Sequence, residues 1–210
     1  MNQSVNIILA SGSPRRKEMF ERMGLLFTVI KSEGEEIVKE SNPKKVVAGL
    51  SEQKAKEVAN RYFEYEWALD SKYEKTIVIG ADTVVAANQK ILGKPADEAD
   101  AVDMLMDLSG KEHEVLTGVS VICLDKDGKL IEDDSFCFVE ETKVCMYPFS
   151  KEEAEAYVAT KEPMDKAGAY GIQGIGAFLV EKIIGDYNTV VGFPLSAFIR
   201  LGCQKNFFRI

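Results

Sequence analysis

Histidine is nearly absent: His113 is the only one in 210 residues. A Ser-His-Asp triad or a histidine-ligated metal is thereby close to excluded, and any chemistry must rest on carboxylates, lysines and arginines. The four cysteines, Cys123, Cys137, Cys145 and Cys203, form no C-x-x-C pair and no metal-ligand spacing. They read as buried thiols of a cytosolic protein rather than as a disulfide framework. No apolar run reaches about 18 residues, so no membrane span is expected. The charged start, apolar core and small-residue cleavage site of a secretory signal are missing too, and the expectation is a cytoplasmic protein. Basic charge is short as well: 26 lysines and arginines face 34 acidic residues, a net charge of −8. That argues against a nucleic-acid polymer as partner and leaves open a local basic pocket for a small anion. Repeats, low-complexity segments and long linkers do not occur. With 46% hydrophobic residues the chain can bury a sizeable core, and residues 1–210 read as a single domain of two lobes.

What is present begins with Val5-Asn6-Ile7-Ile8-Leu9, an apolar run that predicts a buried strand, followed by Ala10-Ser11-Gly12-Ser13-Pro14-Arg15-Arg16. Pro14 suits the first position of a helix, where its missing N–H leaves nothing unpaired. Ser13 then falls on the N-cap, where its hydroxyl can accept a backbone N–H. The helix runs over Lys17, Met19, Phe20 and Met23 and stops at Gly24. Two arginines in its first turn are unfavourable against the helix dipole, by roughly 0.3–1 kcal/mol each. They make sense if a polyanion such as a phosphate chain docks on the turn; the alternative is a plain strand-to-helix turn with two solvated arginines. Phe27-Thr28-Val29-Ile30 predicts a second short strand, and Glu33-Gly34-Glu35-Glu36 after it is either a solvated loop or part of a site.

Asn42-Pro43 opens a helix expected to run to about Tyr65, with Val46, Val47, Leu50 and Val58 on its apolar stripe. Lys54 falls on that stripe, and either snorkels to water or reaches into a cleft for an anion. Thr76–Ala86 is the most apolar stretch and predicts a central strand, yet Asp82 stands in its middle. A carboxylate there must be paired, metal-bound or at a cleft. Gly80 marks a bend or a close backbone approach just before it. Asn88-Gln89 turns the chain into Lys90-Ile91-Leu92, and a hairpin there can return Lys94, in Gly93-Lys94-Pro95, to the side of Asp82. Asp97 starts a helix with Ala99, Val102, Leu105, Met106 and Leu108 inward, ended by Gly110. Val115–Leu124 and Ser135–Met146 read as long strands, His113 as structural, and Ser150-Lys151-Glu152-Glu153 as a capping box. Gly168, Gly171, Gly174 and Gly176 give a backbone able to approach a ligand closely, with Gln173 among them. Phe178–Ile184 is expected as the last strong strand, Tyr187–Val191 as a short extended piece and Pro194–Leu201 as a closing helix. Helices and strands alternate first and strands cluster later, which predicts an α/β fold with a mixed, twisted sheet and flanking helices.

The polar outliers on apolar elements are Arg15, Arg16, Lys54, Asp82, Lys94 and Gln173. Four cations with carboxylates and no usable histidine suit a magnesium-assisted attack on a polyphosphate. Ser11-Gly12-Ser13-Pro14-Arg15-Arg16, Gly80-Ala81-Asp82-Thr83, Gly93-Lys94-Pro95 and Asp165–Gly174, in this order, resemble the Maf family of nucleoside triphosphate pyrophosphatases over nearly the whole chain. The resemblance implies a two-lobed α/β fold around a central cleft, similar to inosine triphosphate pyrophosphatases. It also implies a cytoplasmic homodimer that cuts a nucleoside triphosphate to monophosphate and pyrophosphate. By the same resemblance Asp82 is the proton acceptor, Arg15, Lys54 and Lys94 are phosphate-handling cations, and Glu36 is an acidic residue at the cleft. Asp82 with Glu36 is expected to hold a divalent cation, Mg2+ or Mn2+. Ser13 and Arg16 belong to the substrate-binding turn, and Arg15, Thr83 and Gln173 match positions tied to substrate choice. Asp82-Thr83 with Ile172-Gln173-Gly174 resembles the branch acting on dTTP and UTP. The expected partner is a small nucleoside triphosphate, without a nucleic-acid polymer or a membrane. The competing readings are a nucleotide-binding regulator of septum formation and a hydrolase of other modified triphosphates. A regulator could dispense with Asp82, which this chain keeps.

Overall fold

Residues 2–61, 72–88 and 90–209 are described by the computed structural model. After a two-residue strand, β1 (Asn2–Gln3), the first apolar run forms β2 (Asn6–Leu9), with Ile7, Ile8 and Leu9 fully buried. Pro14 opens α1 (Pro14–Arg22), which closes with the Gly24 N–H donating to Glu21 O and the Leu25 N–H to Phe20 O. The Ser13 hydroxyl, expected to cap this helix, does not. Ser13 holds the N-cap position, but its own N–H donates to Ser11 Oγ at 3.3 Å, so the turn is closed from the preceding serine. β3 (Thr28–Val29) pairs parallel with β2. α2 (Pro43–Asn60) starts from Asn42, whose side chain accepts the N–H groups of Lys44 and Lys45, and it buries Val46, Val47, Leu50 and Val58. The predicted continuation over residues 62–65 lies outside the described residues. β4 (Lys75–Ala87) pairs parallel with β2, Ile77 opposite Ile7.

The turn predicted at Asn88-Gln89 has Gln89 outside the described residues; beyond it β5 (Lys90–Leu92) pairs antiparallel with β4, Leu92 opposite Val85. α3 (Glu98–Leu108) is capped by Asp97, which accepts the Asp100 N–H. It buries Ala101, Val102, Leu105 and Leu108, whereas Ala99 is exposed and Met106 half-buried, because the inward stripe lies one step round the helix from the predicted one. β6 (Glu112–Asp125) and β7 (Phe136–Met146) follow, then α4 (Lys151–Ala159), started by the predicted capping box of Ser150 and Glu153. β8 (Val180–Ile184) runs antiparallel to β7 and begins later than predicted, since Phe178 and Leu179 complete a 3-10 turn from Ile175. Tyr187–Val191, read as extended, is a helix, α5. The Asp186 carboxylate accepts both the N–H and the hydroxyl of Thr189 and so caps a turn that the β-branched run Thr189-Val190-Val191 does not favour alone. α6 (Leu195–Gln204) and β9 (Phe208–Arg209), antiparallel to β1, end the chain.

Among the described residues the larger sheet has the order β3-β2-β4-β6-β7-β8, with β5 on β4; parallel and antiparallel pairs mix, and the fold is α/β. The chain forms two compact units: Met1–Asp82, Gly118–Val139 and Gly192–Ile210, and Thr83–Thr117 and Glu140–Val191. In the first, Phe20 meets Phe27, Phe193 and Phe198 at ring separations of 5.3, 5.0 and 5.7 Å. In the second, Leu105, Leu108, Val144, Tyr157 and Leu179 share one core. The cysteines are free thiols, but only Cys123 is buried. Cys137 and Cys145 occupy same-parity positions of β7, opposite in facing to buried Val144 and Met146.

Candidate active site

Gly80 is where this site is built. A Cβ on Gly80 would stand 2.1 Å from Ser51 O and 2.7 Å from Ala55 N, so only glycine lets the backbone of α2 lie directly on β4. That approach carries Lys54, on the strand-facing side of α2, to Asp82, two residues beyond Gly80. Lys54 Nζ is 2.5 Å from Asp82 Oδ1 and 3.0 Å from Glu36 Oε1. The Lys54 and Asp82 side chains are 17% and 13% exposed and Glu36 53%, so a buried ion pair opens to water through Glu36. The Lys54 ammonium thus stands against the chain's own Asp82 and Glu36 carboxylates rather than turning out to bulk water.

Burial raises the Asp82 carboxyl above its ordinary range, against the pull of the Lys54 ammonium and the charge of Arg16, while nearby Glu36 adds to the rise. A raised carboxyl is a better proton acceptor. Among the described residues no group of three His, Cys, Asp or Glu side chains stands together. Asp82 and Glu36 nevertheless converge on one ammonium. Two carboxylates, with substrate oxygens and water completing the shell, are the donor set that Mg2+ ordinarily takes, so the pair fits a hard divalent ion.

Arg16 acts as a brace. Its Nε donates to Gly192 O at 2.8 Å and its Nη1 to Ser11 Oγ at 3.0 Å, which pins the turn ahead of α1. Burial lowers the guanidinium to about 10, opposed by Asp82, so it keeps its charge at neutral pH. Arg15, half-buried, opens α1 beside it, and Ser13 is half-buried on the same turn.

The second unit carries Thr83, Lys94 and Gln173. The Thr83 and Thr117 hydroxyls are 2.9 Å apart, and Thr117 Oγ1 donates to Thr189 O at 2.8 Å. Lys94 is exposed just past β5; the Gly168 N–H donates to Gly93 O at 3.0 Å, tying the Lys94 loop to the glycine-rich stretch. Gln173 is half-buried in a bend of that stretch. The glycines do not serve the predicted purpose alone: a Cβ on Gly176 would be 2.3 Å from Tyr157 Oη, so close approach is made to the protein itself. Tyr157 and Glu162, which meet this stretch, were not singled out from the sequence. Glu162 precedes Pro163 with no spacing that marks it. His113 is structural, buried with Nε2 2.8 Å from Tyr170 Oη.

A family model described as Maf-like protein matches residues 6–204. Over 192 residues the chain is 50% identical to a dTTP/UTP pyrophosphatase of Agathobacter rectalis, covering 90% of this chain and 92% of that protein. Over 195 residues it is 48% identical to a dTTP/UTP pyrophosphatase of Bacillus thuringiensis subsp. konkukian, covering 92% of each.

Proposed function

We propose that this chain, which belongs to the Maf-like protein family, is a nucleoside triphosphate pyrophosphatase that hydrolyses dTTP and UTP to the monophosphate and pyrophosphate. Relatives at 50% and 48% identity that carry this activity in their names support the reading. The observation that carries it is the Asp82 carboxylate, raised by burial and held 2.5 Å from Lys54 Nζ. Asp82 takes a proton from water as that water attacks the α-phosphorus; the bond to the β-phosphate oxygen breaks and pyrophosphate leaves. Lys54, Lys94 and Arg15 neutralise charge growing on the phosphate oxygens, with Ser13 and Arg16 shaping the turn beside them. A divalent ion such as Mg2+ or Mn2+, held by Asp82 and Glu36, would supply further positive charge to those oxygens.

The Gln173 carboxamide can pair with the N3–H and O4 edge of uracil or thymine, and Thr83 lies next to the proton acceptor in the chain. No helix among the described residues is long and apolar enough to cross a membrane. A cytoplasmic homodimer that takes a free nucleotide rather than a nucleic-acid polymer completes the proposal. Phosphorus NMR of UTP incubated with the protein and Mg2+ tests it. Pyrophosphate and UMP are expected; orthophosphate with UDP, or no turnover by folded protein, would overturn it.

A further inference from the structure

The segment around Gln173 is held from outside itself. Glu162 opens a 3-10 turn, Glu162–Asp165, shortly after α4. Its Oε1 accepts the Tyr157 hydroxyl at 2.9 Å and the Gly176 N–H at 3.1 Å, and its Oε2 accepts the Ile175 N–H at 3.0 Å. Tyr157, fully buried on α4, uses the same hydroxyl oxygen to accept the Gly171 N–H at 3.1 Å. The bonded amides thus flank Gln173, two residues before it and two and three after. Side chains are excluded where the clamp sits: a Cβ on Gly174 would be 2.8 Å from Glu162 Oε2. Burial pushes the Glu162 carboxyl up, but the Gly176 and Ile175 amides and the Tyr157 hydroxyl outweigh it and leave the group below its ordinary range, hence ionised at neutral pH.

Charge-assisted bonds to backbone amides are stronger than neutral ones, and they restrain a stretch whose glycines would otherwise sample many conformations. A side-chain amide discriminates between bases only when its backbone is fixed to within a fraction of an ångström. We propose that Glu162, with Tyr157, is the positioning residue that fixes Gln173 and thereby sets the preference for uracil and thymine over purines. This rests on the base-reading role given to Gln173 above.

The test compares kcat/KM for UTP and GTP in wild type, Glu162→Gln, Gln173→Ala and the double variant. Glu162→Gln keeps the shape and removes the charge and one acceptor. Its UTP-to-GTP ratio is expected to fall about tenfold, the scale of a small misplacement of a contacting group. The double variant is expected to be no less selective than Gln173→Ala alone, because the two act as one unit. A folded Glu162→Gln enzyme that loses activity on UTP and GTP alike, with the ratio kept, overturns the proposal. Should Glu162→Gln fail to fold, Tyr157→Phe, lacking only the hydroxyl, decides by the same ratio: a fall supports the proposal and an unchanged ratio overturns it. Hydrogen exchange at the Ile175 and Gly176 amides separates the two failures. Faster exchange there in Glu162→Gln, with an unchanged ratio in Gln173→Ala, shows that the clamp exists and that base reading by Gln173 is what failed. Unchanged exchange shows that the clamp itself is wrong.

Discussion

Asp82 places a carboxylate in a strand whose residues from Thr76 to Ala81 are all buried, and such a group is tolerated only with a cation against it. Asp82→Asn keeps the shape and removes the proton acceptor. The expected outcome is a folded protein with kcat lowered about 10²–10⁴-fold, the range for losing a positioned acid–base group. Steady-state kinetics beside circular dichroism checks this, and near-wild-type turnover would sink the role. Lys54→Met tests the pairing differently. Burial already raises the Asp82 carboxyl, and the Lys54 ammonium is the main force pulling it down. Without that ammonium the acid limb of the kcat/KM profile should move to higher pH; a limb that stays put would mean that Asp82 is not the titrating group. Asp82, Gly80 and Lys54 were legible in the sequence because each is an anomaly in its own element: a charge in an apolar strand, a glycine beside it, a cation on an apolar stripe. Glu162 was not legible. Beside the Tyr157 hydroxyl, its partners are backbone amides 13 and 14 residues away, and a backbone amide leaves no letter in the sequence. Arg16 is legible as a charge on the turn, but the bonds of its Nε and Nη1 to Gly192 O and Ser11 Oγ, one of them to a backbone carbonyl far along the chain, are not.

At the scale of elements, the contact of α2 with β4 decides whether the pair of Lys54 and Asp82 forms. Gly80→Ala would press a methyl group into Ser51 O and Ala55 N, both backbone atoms that cannot turn away. The helix must shift, and overpacking of this kind costs about 1–3 kcal/mol. Activity should fall with stability, since the shift draws Lys54 from Asp82. Gly49, inside α2, has nothing within 4 Å of its would-be Cβ, so Gly49→Ala should instead stabilise by about 0.5–1 kcal/mol through helix propensity. Urea unfolding of the two variants checks the pair of signs, and a mild effect at Gly80 would mean that the helix is not seated on the strand. The starts of α1, α2, α3 and α4 were readable because proline and capping side chains act within a few residues. α5 was misread because its propensities point to strand, and the deciding bonds come from Asp186, outside the run. The pairing of β1 with β9 joins residues more than 200 apart in the chain, which local pattern does not encode.

The division into two units was not readable from any linker: three of its four crossings fall inside strands, between Asp82 and Thr83 in β4, Thr117 and Gly118 in β6, and Val139 and Glu140 in β7, and the fourth falls directly at the end of α5, between Val191 and Gly192. No change of composition marks such a boundary. Stability of the whole molecule should nonetheless report on one residue, the single histidine. His113 is 3% exposed, its Nε2 meets Tyr170 Oη at 2.8 Å, and its Nδ1 has no hydrogen-bond partner among the described residues. Charging the ring would bury an unpaired N–H with a positive charge. Burial therefore lowers the His113 pKa from 6.5 to about 4, with Glu112 opposing only weakly. Between these values the unfolded chain holds a proton that the folded chain does not, so stability rises with pH across this window. It is complete above about pH 6.5 and is lost as pH falls toward 4. The gap corresponds to about 3 kcal/mol. His113→Gln can still meet the Tyr170 hydroxyl but does not titrate. Carboxylates contribute to the pH dependence of both proteins, so the difference between them isolates the histidine. Urea unfolding at steps from pH 4.5 to 7.5 should show wild type gaining stability relative to His113→Gln up to about pH 6.5 and no further; parallel curves would mean that His113 is protonated in the folded protein as readily as in the unfolded chain.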